Sequence, residues 1–202
     1  MIDLLLCYFW RRDHPVRRNW EFHLNLLRWH HFLEDWHGLS FWLFPGLLPE
    51  ADVEVSSDAA AKLGYSAYMK GHWFAGSWVP SQQLQSIAYK ELFPIVLTAH
   101  VWGHLWVKKH ILFRSDKEAV VHILNTQTSR LPCLMHLLRS LLFSAAHHSF
   151  SFSSQQVPVI NNQLADALSR FNWQEFWHLA PDAQPRSTVV PPDLLALLTS
   201  PP

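Results

Sequence analysis

The sequence predicts an α/β fold: a mixed five-stranded sheet with helices on both faces. Three observations predict it. Three short alternating segments follow one another with only turns between them, and strand and helical patterns alternate after them. Strands joined by tight turns pair antiparallel, whereas a strand reached through a helix lies parallel to its neighbour. The chain also has 202 residues, 49% of them hydrophobic, enough for one good-sized domain with its own core plus a short extra segment.

Residues 1–49 are rich in Trp, Arg and His. Leu24, Leu27, Trp29, Phe32, Leu33 and Trp36 recur mostly three and four apart, which predicts a helix over Trp20–Trp36. His37-Gly38 closes it, and Pro45-Gly46 with Pro49 marks a boundary.

Residues 50–172 read as the α/β domain. Asp52–Asp58 is a strand with Val53 and Val55 on one face. Gly64–Lys70 and His72–Val79 are two more, joined by a turn at Lys70-Gly71. Ser81–Val107 carries a long helical pattern opened by Ser81 as cap. Pro94 lies far beyond a first turn, so the helix either kinks or starts later than Ser81. His110–Ser115 is a strand, Lys117–Asn125 a short helix and Pro132–His147 a longer one. Ser149–Val157 is the last strand, and Asn161–Phe171 a final helix with an Asn cap. Residues 173–202 hold six prolines and read as a loosely ordered tail.

Composition excludes several classes. Lys+Arg and Asp+Glu are 16 each, so no global field draws in nucleic acid and phosphate binding must use local patches. Fourteen His add pH-dependent charge, and eleven Trp with thirteen Phe put aromatics at contacts as well as in the core. Cys7 and Cys133 give neither a disulfide framework nor a Cys-rich zinc site. Met1–Trp10 lacks a basic leader, and His136 and Arg139 break the apolar run Leu131–Phe143 well short of a bilayer span. A soluble intracellular protein without a membrane partner is expected.

Four acids sit at element ends or in apolar surroundings. Asp58 ends the first strand and Asp116 follows the fourth. Glu91 shares a helix stripe with Ile87, Ile95 and Ala99, and from Leu92 to Trp106 that helix has no charged Asp, Glu, Lys or Arg. A carboxylate there needs a partner. Asp166 lies between Ala165 and Ala167 in the first turns of the last helix. If these elements converge, four carboxylates share a site whose repulsion a hard cation such as Mg²⁺ or Mn²⁺ relieves. Two such ions about 4 Å apart suit in-line phosphodiester hydrolysis. Taken singly, each acid reads more readily as a surface charge or a helix cap.

The segments around these acids resemble a known family. Ser56-Ser57-Asp58-Ala59 followed by Gly64-Tyr65-Ser66-Ala67 resembles the Thr-Asp-Ala-Ser…Gly-x-Gly-Ala opening of retroelement ribonuclease H domains. Ser86 to Leu92 is similar to their helix bearing Lys-Glu-Leu, and Ser115-Asp116-Lys117-Glu118 to their strand-ending Asp. Asn162-Gln163-Leu164-Ala165-Asp166-Ala167-Leu168-Ser169-Arg170 matches the Asn-x-x-Ala-Asp-x-Leu-Ser-Arg signature, the most specific piece. All four occur in family order over residues 52–170. Arg28 to Gly38 resembles the stretch that joins polymerase thumb to RNase H in DIRS-type elements, with the gypsy type a wider circle.

The resemblance implies an RNase H-like fold, with Asp58, Glu91, Asp116 and Asp166 as catalytic metal ligands for two Mg²⁺ or Mn²⁺ ions. It implies cleavage of the RNA strand of an RNA–DNA hybrid, leaving a 3′-hydroxyl and a 5′-phosphate, within a reverse transcriptase. Residues 1–49 would then be a thumb or connection remnant and 173–202 a Pro-rich tail. The chain contains no Asp-Asp pair, so the polymerase portion would be a partner. Lys62, Lys90, Lys117 and Asn162 are the expected nucleic-acid contacts, within a wider set of Lys70, Lys108, Lys109 and Arg114 that reads equally well as solvated surface. The basic cluster Arg11, Arg12, Arg17 and Arg18 also suits nucleic acid. The chain departs from the family at Gln156 and Val159, where a loop His and Gly are usual, at Ser66, where a strand Gly is usual, and at His37, where an Asn is usual. The alternative function is a catalytically inactive RNase H-like remnant or a nucleic-acid-binding module. His100 and His104 are four apart on a helix, but with no third ligand in the pattern they read as packing or surface residues rather than zinc ligands.

Overall fold

The computed structural model describes residues 20–34 and 50–199. It divides into two units, Met1–His37 and Gly38–Pro202. In the first, the described residues form helix α1 (Trp20–Glu34), where the expected apolar periodicity falls. His30 Nδ1 lies 3.3 Å from a Glu34 carboxylate oxygen one turn on, a pairing helix geometry favours. The cluster Arg11–Arg18, the closing His37-Gly38, Cys7 and the proline boundary before residue 50 lie outside the described residues.

The second unit is built on five strands in the order β3-β2-β1-β4-β5. They are β1 (Val53–Ala59), β2 (Gly64–Met69), β3 (His72–Ser77), β4 (His110–Ser115) and β5 (Ser151–Gln156). β1 to β3 form an antiparallel meander with Asp58 opposite Ser66 and Ser66 opposite Ala75. β4 runs parallel to β1, with Ser56 beside Arg114, and β5 parallel to β4. This is the expected mixed sheet, and helices cover both of its faces.

Strand alternation decides what each face buries. Val55, Tyr65, Ala67, Phe74, Ile111 and Phe113 enter the main core, while Tyr68, Trp73 and Ala75 point into a second cluster. Short α2 (Pro80–Gln83) leads to α3 (Ile87–Trp102) on the main face. The long pattern therefore resolves as a late helix start: Ser86, not Ser81, caps α3 by accepting from the Tyr89 N–H. Pro94 lies inside α3, which runs on through it, buried with residues 89–99 between the sheet and α5. α4 (Glu118–Thr126) and α5 (Pro132–His148) complete this layer. α6 (Gln163–Ser169) and α7 (Trp173–Leu179) cover the other face, where Leu168 and Phe176 pack with Trp73.

Residues past 172 differ from the expected loose tail. Phe176 is fully buried, and the Gln184 and Thr188 N–H groups donate to the Gly71 and Trp73 carbonyls along the outer edge of β3. Helix α8 (Pro192–Thr199) buries Leu198 in the main core, and Leu198's carbonyl accepts from the Tyr89 hydroxyl. Prolines end helices without preventing docking, and here the segment shields a sheet edge. At the opposite edge the Asn125 amide bonds both the N–H and the carbonyl of Ser154. Among the described residues no helix is long and apolar enough to cross a membrane.

Candidate active site

Each of the four acids sits where a different element ends or turns. Asp58 is the next-to-last residue of β1, Asp116 follows the end of β4, Glu91 lies in the second turn of α3 and Asp166 in the first turn of α6. Because β1 and β4 are adjacent and parallel, their C-terminal ends share one edge of the sheet. α3 crosses the main face with Glu91 toward that edge, and α6 approaches from the other face. Three hydrogen bonds tie α6 down. Asn162 Nδ2 donates to the Ser57 carbonyl (3.0 Å), Ser66 Oγ to the Ala165 carbonyl (2.7 Å), and Ser169 Oγ to Asp58 Oδ2 (2.5 Å). Ser66, a departure from the family glycine, thus gains a structural role.

The structure brings three of the acids together. Carboxylate oxygens of Asp58, Glu91 and Asp116 all lie within 4.8 Å of one another, the one such cluster of potential metal ligands among the described residues. Asp58 is 7% exposed and Glu91 2%. Asp166 stands outside this group, with its Oδ1 held by Arg170 Nε at 2.7 Å, although its charge still acts on Asp58 and Glu91.

The electrostatics follow from burial and like charge. Burial first, then the charges of Asp58 and Asp116, pushes Glu91 up to about 8, with Lys117 pulling the other way and Asp166 adding to the rise. Burial also raises Asp58. The Ser169 hydrogen bond and Arg170 oppose that rise, and Asp166 and Asp116 reinforce it. Lys117 Nζ sits 2.8 Å from Asp116 Oδ2. Glu91 Oε2 and Asp116 Oδ1 are buried with no hydrogen-bond partner. Buried carboxylate oxygens without a partner are costly, and an all-oxygen donor set of this kind fits a hard divalent cation. Asp58, Glu91 and Asp116 could hold one directly, and Asp166 could join after releasing Arg170.

Two expected nucleic-acid contacts are turned inward. Lys90 is 5% exposed, and its ammonium donates to the Ala61 and Gln83 carbonyls, fastening the β1–β2 turn to the start of α3. Asn162 is 2% exposed, and at the N-terminus of α6 it bonds β1 rather than its own helix. Lys62 is exposed and Lys117 half-exposed. Of the wider basic set, Lys70 and Lys109 donate to backbone carbonyls and Arg114 pairs with Glu54, so these charges serve local structure. His100 is half-buried with its Nε2 2.8 Å from Ser140 Oγ, and loss of solvent holds it down at about 4. Cys133 is a free thiol. Sequence reading missed Ser169 and Arg170 as site residues. Their only signal was their place in the Asp166 signature.

No family model matches the chain, and neither does any curated protein. Solved structures similar to it include RNase H domains. The N-terminal RNase H domain of a Mycobacterium tuberculosis protein, solved as a maltose-binding-protein fusion, is 16% identical with a TM-score of 0.41, covering 57% of this chain and 95% of its own. RNase H1 from the halophilic archaeon Halobacterium salinarum is 13% identical with a TM-score of 0.43, covering 59% and 97%. A foamy viral protease-reverse transcriptase in complex with RNA/DNA hybrid is 11% identical with a TM-score of 0.42, covering 66% of this chain and 22% of that one.

Proposed function

We propose that this chain is a ribonuclease H-type endonuclease that cleaves the RNA strand of RNA–DNA hybrids, within a retroelement reverse transcriptase of DIRS or gypsy-like type. One observation carries the reading: Asp58, Glu91 and Asp116 converge at the edge where β1 and β4 end, with Glu91 Oε2 and Asp116 Oδ1 buried and unpartnered. The order of the family motifs along residues 52–170 supports it.

Two Mg²⁺ or Mn²⁺ ions, when bound, supply the positive charge that lets these acids ionise together and that polarises the scissile phosphate. Asp58 and Asp116 hold that charge from the two strand ends. Asp166 completes the outer side. Glu91 holds a proton at neutral pH in the metal-free chain, because burial and its neighbours keep it up at about 8. Ionised, it orients the attacking water. Ser169 fixes Asp58 through its hydroxyl. Lys62 and Lys117 meet the phosphates of the hybrid, and the ribose 2′-hydroxyl tells the RNA strand from the DNA strand. Residues 1–49 serve as a connection to the polymerase portion.

The test is cleavage of a labelled RNA–DNA hybrid by the purified full chain, with and without Mg²⁺ or Mn²⁺. Cleavage that needs the metal and disappears in Asp116→Asn supports the reading. Cleavage indifferent to chelation, or unchanged in that variant, overturns it. A second reading, a non-catalytic RNase H-like module, is favoured by one observation. Gln156 takes the place of the family loop His, and its Nε2 donates to the Asp116 carbonyl at 3.3 Å. Metal and hybrid binding without any cleavage would select it.

A further inference from the structure

We infer that Lys117 is the resident counter-ion of the acid group, and that a divalent cation must displace its ammonium from Asp116 to complete the site. This rests on the reading that these acids bind such a cation.

Asp116 divides its two oxygens. Oδ1 is buried without a partner, while Oδ2 is held by Lys117 Nζ at 2.8 Å, and a carboxylate oxygen of Asp116 lies within 4.8 Å of those of Asp58 and Glu91. The ammonium's influence extends past that bond, since its charge also acts on Glu91 and Asp58. Lys117 therefore offsets the negative charge of the whole group from its seat on Asp116. Arg170 acts in the same way on the outer flank, through Asp166. A cation entering between Asp58, Glu91 and Asp116 meets a positive charge already seated on one of its ligands, and like charges sharing a carboxylate repel.

The backbone lets the side chain leave. The Lys117 N–H donates to Ser115 Oγ at 3.2 Å, which holds the main chain between β4 and α4. The side chain is 42% exposed and makes no other bond than the one to Asp116 among those described. An ammonium on a four-carbon stem can swing out without moving its strand. Once released, the same charge is free for a phosphate of the hybrid, so metal entry and substrate binding draw on one side chain in turn.

The experiment measures Mn²⁺ binding calorimetrically on the chelator-stripped full chain, without nucleic acid, for wild type, Lys117→Met, Lys117→Arg and Asp116→Asn. Circular dichroism verifies folding, and Lys117→Gln replaces the Met variant if that one does not fold. Removing the charge should tighten Mn²⁺ binding about tenfold, equivalent to about 1.4 kcal/mol. Lys117→Arg should stay near wild type and Asp116→Asn should lose binding. Equal or weaker binding in Lys117→Met overturns the inference while leaving the proposed function standing. If neither wild type nor Lys117→Met binds the ion, both fall. A lysine that only contacted substrate would leave binding in the absence of nucleic acid unchanged.

Discussion

Replacing Glu91 by Gln keeps the shape of the side chain and removes its charge, which isolates the cost of burying that carboxylate. In the folded, metal-free chain Glu91 is raised from 4.5 to about 8, first by burial and then by Asp58 and Asp116. Below about pH 4.5 it is protonated whether the chain is folded or not, and imposes no penalty. Between pH 4.5 and about 8 the unfolded chain ionises it while the folded chain keeps the proton, so stability falls as pH rises. Above about pH 8 the penalty is complete. At about 1.4 kcal/mol for each pH unit between the two states, a rise of this size corresponds to a few kcal/mol, on the order of 3–5. Urea unfolding in chelator should therefore find Glu91→Gln close to wild type at pH 5 and more stable by that amount at pH 9. Added Mg²⁺ should stabilise wild type at pH 9 and hardly affect the variant. Parallel stability curves for the two proteins from pH 5 to 9 would refute the electrostatic account of the site.

Other perturbations separate the roles of the remaining residues. Asp166→Asn should slow hybrid cleavage yet retain Mn²⁺ binding at the inner acids in calorimetry, because Asp166 stands outside the close group and leans on Arg170; loss of all binding would contradict this placement. Ser169→Ala leaves Asp58 Oδ2 without its buried donor and should lower stability by about 1–3 kcal/mol in chemical denaturation, with slower cleavage. Asn162→Ala removes the tie from α6 to the Ser57 carbonyl and should cost a similar 1–3 kcal/mol, roughly, in the same measurement. Leu198→Ala opens a cavity under α8 and should cost roughly 2–5 kcal/mol, whereas an unchanged unfolding midpoint would mean that the C-terminal segment does not dock.

The strands were legible because their signals are local. Val53 and Val55 on one side of β1, the Lys70-Gly71 turn and the apolar run of β4 each specify a strand or a turn within a few residues. The acids were legible for a related reason, since a lone carboxylate in an apolar helix face stands out at Glu91. Lys90 was misread. A lysine beside a site reads as a phosphate contact, and nothing in its neighbours reveals that the Ala61 and Gln83 carbonyls, one of them 29 residues away, will receive its ammonium. Asn162 behaves likewise, as its partner Ser57 lies 105 residues back along the chain. The segment past residue 172 looked loose because proline content outweighed Phe176 and Leu198, each buried by chain far upstream.

By itself the sequence determined the alternation of strands and helices, the meander followed by parallel crossovers, and which acids were candidates. These rest on periodicity and turn chemistry, interactions between near neighbours in the chain. Tertiary structure decided which acids meet. It placed Asp58, Glu91 and Asp116 within reach of one cation, left Asp166 on Arg170 and set Lys117 on Asp116. Those outcomes depend on the ends of β1 and β4, the seat of α3 and the angle of α6 being fixed together. Electrostatic energy at a few ångströms is settled by that joint packing, to which no local stretch of residues has access.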